Sequence, residues 1–186
     1  MKVLSFGEQA LKDANSIRSL HQVVIRAAEE TDRLVLVTAS LQGVRDALAE
    51  AAGRAAGGSG GYMERMEAIQ ERILEIIRSL FGPRDQSGVI TAVQILLNDL
   101  EDILHGVQLI GECSPRTLDL VLSFATRISC ILVSRYLSVE GIEAQTEENP
   151  GILLRVNPHG MLQVDYQASY QAIADSLGTG KGIQVV

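Results

Sequence analysis

The residues that most constrain this chain are Leu34-Val35-Leu36-Val37-Thr38, an unbroken run of apolar and β-branched side chains. A run this short, with no polar alternation, predicts a strand covered on both faces, as in a parallel sheet. A parallel neighbour needs a crossover, and the residues upstream provide one. Val3-Leu4 with Phe6 predicts a short buried strand ending at Gly7. Ile17, Leu20, Val23, Val24 and Ala27 then recur at helical spacing behind a start at Asp13 or Asn15. Strand, helix and buried strand make a βαβ unit, so the expected class is α/β with a mostly parallel sheet.

Beyond Thr38 the chain passes through Gly43 into a second helix over about 44–56. Gly57-Gly58-Ser59-Gly60-Gly61 follows, with so much backbone freedom that a mobile loop is expected. No strand precedes it, so it reads as a connection between helices and not as a phosphate cradle. Helical patterning then dominates the region 62–140. Met66, Ile69, Ile73, Ile76, Ile77 and Leu80 form one apolar face, stopped by Gly82-Pro83. Val93, Leu96, Leu97, Leu100, Ile103 and Leu104 form a second, stopped near Gly106 or Gly111. This hairpin has enough apolar surface to pack on a partner as well as on its own sheet. Ser114-Pro115 is a strong helix start, a capping hydroxyl followed by proline at the first helical position. The helix it opens is apolar nearly all round and belongs in the middle of the domain. Asp119, Arg127 and Arg135 interrupt its apolar region, which fits a buried helix better than a membrane span. After Gly141 short strands are expected at 142–145, 152–156 and 162–164, with a turn at Asn157-Pro158-His159-Gly160. A helix over about 167–177 leads through Gly178-Thr179-Gly180-Lys181-Gly182 to a buried strand at 183–186. A chain that stops inside a strand is expected to be part of a longer one.

Composition narrows the function. Sixteen Lys and Arg against 23 Asp and Glu leave a net charge of −7, which argues against nucleic-acid or anionic-membrane partners. With 46% hydrophobic and 21% charged residues the chain is an ordinary globular one. The first residues make no signal peptide, and two cysteines are too few for a disulfide framework, so a cytoplasmic location is expected. His21, His105 and His159 lack metal-ligand spacing. Cys113 and Cys130 read as small buried residues, and Asp99, Glu101 and Asp102 as the wet face of a helix. Glu143, Glu147 and Glu148 read as a wet loop.

The order of these pieces resembles the N-terminal lobe of aspartokinases, in the amino-acid kinase family. The resemblance rests on strand, Phe6-Gly7, helix, apolar strand, Gly43-Val44-x-Asp46, helical hairpin, and Ser114-Pro115-Arg116-Thr117-Leu118-Asp119 leading to Ser123-Phe124-x-x-Arg127-x-Ser129. Tyr136-Leu137, Gly141-Ile142-Glu143-Ala144 and His159-Gly160 extend it over essentially the whole chain. The resemblance implies a three-layer α/β/α, carbamate kinase-like fold with an inserted helical hairpin. It also implies a relative that moves the γ-phosphoryl group of ATP onto the aspartate side-chain carboxylate.

The motifs depart from the family where its chemistry lies. Ser5 stands in the place of the motif lysine, and Gly7 is kept, but Glu8 replaces the second glycine. Ala39-Ser40 ends the second strand, Arg45 replaces the turn threonine, and Thr126 replaces the glutamate before Arg127. Lys2 lies an odd number of positions from Ser5, which puts it on the other face of the strand. The expected protein is therefore catalytically degenerate, a pseudokinase-like lobe serving assembly or regulation, with homoserine dehydrogenase fusions among its relatives. One alternative is an active transferase whose missing groups, with ATP and Mg, come from the rest of a longer chain or a second subunit. The other is an amino-acid sensor in which Arg45 and Arg127, near Ser40, hold a carboxylate. No cofactor is expected within these residues. A second copy or further domains of the same chain are the expected partners.

Overall fold

The structure, a computed structural model, describes residues 1–31, 33–58, 60–147, 152, 154–156, 162–178 and 182–186. It opens with β1 (Lys2–Phe6), a 3-10 turn (Glu8–Leu11), α1 (Ala14–Glu29) and β2 (Leu34–Thr38). Four helices follow: α2 (Val44–Ala56), α3 (Tyr62–Leu80), α4 (Pro83–Ile110) and α5 (Pro115–Val139). Last come β3 (Ala144–Thr146), β4 (Leu154–Val156), β5 (Leu162–Val164), α6 (Tyr166–Gly178) and β6 (Ile183–Val185).

The main sheet has the order β1-β2-β6-β3, and every pairing in it is parallel. Leu34 stands opposite Lys2 on one side and Ile183 on the other. β4 and β5 form a separate antiparallel pair with Leu154 opposite Val164. The expected class, α/β with a mostly parallel sheet, is the one observed.

Local chemistry sets the helix ends. The Asp13 carboxylate accepts from the Ser16 amide at 2.8 Å and its hydroxyl at 2.9 Å, which starts α1. Those bonds hold the Asp13 carboxyl below its usual range. Ser114 Oγ accepts from the Thr117 amide at 3.1 Å, and Pro115 begins α5, as the sequence predicts. α4 runs through Gly88 and Gly106 and stops only at Gly111, which is left-handed at φ +74°. A glycine inside a helix merely weakens it by about 1 kcal/mol, whereas a left-handed residue ends it.

α5 lies at the centre. Ile128, Leu132, Val133 and Leu137 are fully buried, and the helix packs against α2, α4 and strands β2, β3 and β6. It is long and apolar enough to cross a membrane, yet more than half of that stretch (56%) is buried inside the protein. Leu34, Leu36, Ile183 and Val185 join the core from one face of the sheet.

The other face differs from expectation. β1 is an edge strand with alternating exposure, and Val3 is 55% exposed. Val37 is exposed as well, so β2 is fully covered on one face only. In α1 the buried stripe runs Ile17, Leu20, His21, Val24, Ala27, and His21 displaces Val23, which is exposed. The α3–α4 hairpin packs chiefly on helices, against α2, α5 and α1, and not on the sheet. β3 begins at Ala144, two residues later than the patterning suggests, and β4 begins at Leu154. Gly58 and Gly60 take positive φ in the glycine-rich connection, while Ser59 lies outside the described residues. Also outside them are the turn at 157–160 with His159, residues 179–181, and Glu148.

Candidate functional site

In open parallel sheets ligands bind outside the carboxyl ends of the strands. Here those ends are Phe6-Gly7-Glu8, Thr38-Ala39-Ser40, Thr146-Glu147 and Val185-Val186, with α5 passing beneath. The Ala39 amide donates to the Phe6 carbonyl at 2.9 Å, continuing the β1–β2 pairing past the strands. The Thr38 amide donates to the Val186 carbonyl at 2.8 Å and the Val186 amide to Leu36 at 2.8 Å. The Glu147 amide donates to the Val185 carbonyl at 2.9 Å. All four ends are thus locked in one register.

α5 is latched to this rim. Ser129 Oγ accepts from the Leu41 amide at 2.8 Å and donates to the Ala125 carbonyl at 3.0 Å, and both Ser129 and Leu41 are buried. Thr38 Oγ1 lies 3.3 Å from Cys130 Sγ and 3.3 Å from the Val186 carbonyl.

Two of the sequence-derived site residues meet directly. Ser40, which is buried, donates its hydroxyl to Glu8 Oε1 at 2.9 Å. Glu8 is half-buried, so its carboxylate sits between the β1 and β2 ends. Ser5 is exposed on the uncovered face of β1. A side chain added at Gly7 would meet nothing within 4 Å, so packing does not require glycine there. Lys2 donates to Glu30 at 2.6 Å at the far end of the strand and holds the Glu30 carboxyl below its usual range.

Thr126 and Arg127 line a cavity of about 310 Å³ with Ser123, Cys130, Thr146, Glu147 and Val186. The Arg127 guanidinium lies 4.9 Å from the centre of the Phe124 ring. Arg45 is exposed in the first turn of α2 and does not line this cavity. Sequence reasoning missed Ser123, Thr146 and Glu147 as lining residues and treated Cys130 as core alone. Strands too short to show periodicity gave no signal for Thr146 or Glu147. Glu147 is half-buried at the cavity, not on a wet loop. Burial raises the Cys113 thiol above its ordinary range, which suits an inert thiol. Among the described residues, no group of three or more His, Cys, Asp or Glu can hold a metal ion.

A nucleotide triphosphate with its metal fits these residues poorly. Ser5, Gly7, Glu8 and Ser40 bring no cation to the β1–β2 ends, and the one charge among these four is the Glu8 carboxylate.

No protein-family model matches the chain. Over 83 residues, 45% of this chain and 15% of the relative, it is 24% identical to an aspartokinase of Candida albicans. Its fold superimposes on E. coli aspartokinase III solved with aspartate and ADP in the R-state, with a TM-score of 0.75 and 19% identity. That match covers 100% of this chain and 40% of the other. The T-state structure of E. coli aspartokinase III with lysine and aspartate gives a TM-score of 0.77 at 19% identity, over 98% of this chain and 40% of that one. Clostridium acetobutylicum aspartate kinase gives 0.72 at 15% identity, over 98% and 38%. The chain spans about two-fifths of these solved relatives. It therefore carries an aspartokinase-like α/β fold built on a mostly parallel sheet.

Proposed function

We propose that this chain is a catalytically degenerate aspartokinase-like lobe, cytoplasmic, acting in assembly or regulation by packing against further domains or a second copy. One observation carries this: the Glu8 carboxylate, hydrogen-bonded to Ser40 at 2.9 Å, holds the strand ends where the family's second glycine lies. Phosphoryl transfer depends on positioned positive charge around the transferring group. A carboxylate about 4 Å from a phosphate oxygen opposes it by ~4 kcal/mol at an effective dielectric near 20. Ser5 offers no charge to offset this, and Thr126 is no substitute for the glutamate that precedes the family's arginine. The span of about two-fifths of the solved relatives fits a lobe that works beside other domains.

A second reading, an amino-acid sensor, is favoured by the cavity that brings Arg127 and Thr126 together with three further polar side chains. Arg127 is the carboxylate ligand in this reading, and Arg45, expected beside it, does not line the cavity.

A coupled assay for phosphoryl transfer from ATP·Mg²⁺ to aspartate, run on the longest natural chain, tests the first reading. No turnover is expected, nor any from Ser5→Lys alone. Turnover by the unmodified chain overturns it. Calorimetry separates the readings: heat with aspartate but none with ATP·Mg²⁺ supports the sensor, and no heat with either supports the scaffold.

A further inference from the structure

Two guanidinium groups frame a cleft beyond Ser40 that shares no lining residue with the cavity at Arg127. It lies between the first turn of α2 and the middle of α3, encloses about 200 Å³, and is lined by Gly43, Val44 and Ala47 on one side and Arg65, Ala68 and Arg72 on the other. Both charged side chains on its lining are cationic. Arg65 pairs with Glu50 at 2.5 Å, but its Nε is buried without a hydrogen-bond partner. Glu50 is already shared with Arg54, also at 2.5 Å, and the two arginines hold its carboxyl below the usual range. Arg72 makes no hydrogen bond or ion pair among the described residues. Its Nη1 lies 3.7 Å from where a Cβ on Gly43 would stand, beside the positive end of α2.

The nearby acids do not answer this charge. Asp46 is exposed in the first turn of α2 and is not on the lining. Asp13 and Glu75 border the neighbouring groove that Arg72 also touches, outside ion-pair distance of it. Arg54 and Arg65 share the one Glu50 carboxylate, and Arg72 has none, in a chain of net charge −7. Arg72 is exposed, so its unpaired guanidinium is open to an anion from solvent beside the N-terminus of α2.

We propose that this cleft binds a small phosphate-type oxyanion. Arg72 offers its planar fork, which matches two phosphate oxygens, and Arg65 adds a second positive charge on the lining. The small walls of Ala47 and Ala68 leave room for a phosphate group, with any larger ligand body outside. This site is independent of whether the strand ends transfer phosphoryl groups.

The test titrates the full chain with inorganic phosphate at fixed ionic strength, following the unfolding midpoint and calorimetric heat, with chloride as the control ion. A saturable rise with phosphate and none with chloride is expected. Arg72→Gln should weaken the apparent affinity at least tenfold without moving the phosphate-free midpoint. Arg78→Gln, on the same helix but paired with Glu71, should leave it unchanged. Arg72→Lys keeps the charge without the fork and should fall between, which preserves the test if the glutamine variant folds badly. A titration with glycerol phosphate separates sources: binding of both ligands supports an ester, and binding of free phosphate alone supports the ion. Equal responses in the unmodified chain and Arg72→Gln, or no saturable response, overturn the site.

Discussion

Ser129→Ala isolates the joint between core and candidate site. The Ser129 hydroxyl is the partner of the Leu41 amide at 2.8 Å, and both residues are 0% exposed. Removing the oxygen leaves the Ala125 carbonyl with its helical neighbours, so that bond matters little. The Leu41 N–H instead stays buried with no acceptor, a loss of about 1–3 kcal/mol. For a protein of this size each kcal/mol lowers the melting midpoint by about 2–4 °C. The expected drop is therefore roughly 2–12 °C in differential scanning calorimetry. Native-state hydrogen exchange should show the Leu41 amide accelerating more than amides in the middle of α5. Ser138→Ala is the control, since that hydroxyl donates to Ser134 and Ala144 carbonyls from an exposed position, and it should stay within about 0.5 kcal/mol. A Ser129→Ala protein as stable as its parent, or a loss of stability with no change at Leu41, would refute the latch.

Gly182→Ala and Gly88→Ala should move stability in opposite directions in urea unfolding. Gly182 has φ +78°, and a Cβ there would lie 2.8 Å from the Glu143 carbonyl that receives the Ile183 amide, so a loss of at least about 1–3 kcal/mol is expected. Gly88 sits inside α4 with nothing within 4 Å of an added Cβ, and alanine there should add about 0.5–1 kcal/mol. His21→Phe should raise the urea midpoint, because it removes a buried Nε2 that has no partner while keeping an aromatic ring edge-on to Tyr136, now 5.7 Å away. A lower midpoint would mean that the larger ring strains the α1–α5 contact.

How much of this was legible in the sequence varies with the range of the interaction. Caps such as Asp13 and Ser114 act over three residues, so residue type and spacing suffice to place them. α5 was legible as the central helix because apolar residues surround it on every side. Coverage of a sheet face is another matter. Val3 and Val37 have the patterning of buried strand residues, yet they face solvent, because coverage depends on what packs across the sheet and not on the strand's own residues. The placement of the α3–α4 hairpin on other helices has the same cause: its apolar stripes state that something covers them and do not say what. Least legible was the Ser129–Leu41 bond, 88 residues apart in sequence. A serine in an apolar helix signals a buried hydrogen bond without naming its partner. The Glu8–Ser40 bond was equally out of reach, although both residues were already candidates for the site.

That bond also separates two causes for the inertness proposed for this site. If the missing cation at Ser5 alone keeps nucleotide out, Ser5→Lys restores binding of ADP·Mg²⁺ whatever stands at position 8. If the Glu8 carboxylate also repels the phosphates, the new lysine pairs with it, and its charge is spent inside the protein. Glu8→Gln distinguishes these, because the amide oxygen still accepts from Ser40 while the charge disappears. The rim geometry is then kept, and the unfolding midpoint should stay within about 0.5 kcal/mol of the parent. In calorimetry the two single substitutions should each show no binding of ADP·Mg²⁺, and the double substitution should show it, a positive coupling between neighbouring sites. Full binding by Ser5→Lys alone would absolve Glu8 and leave the absent cation as the whole defect.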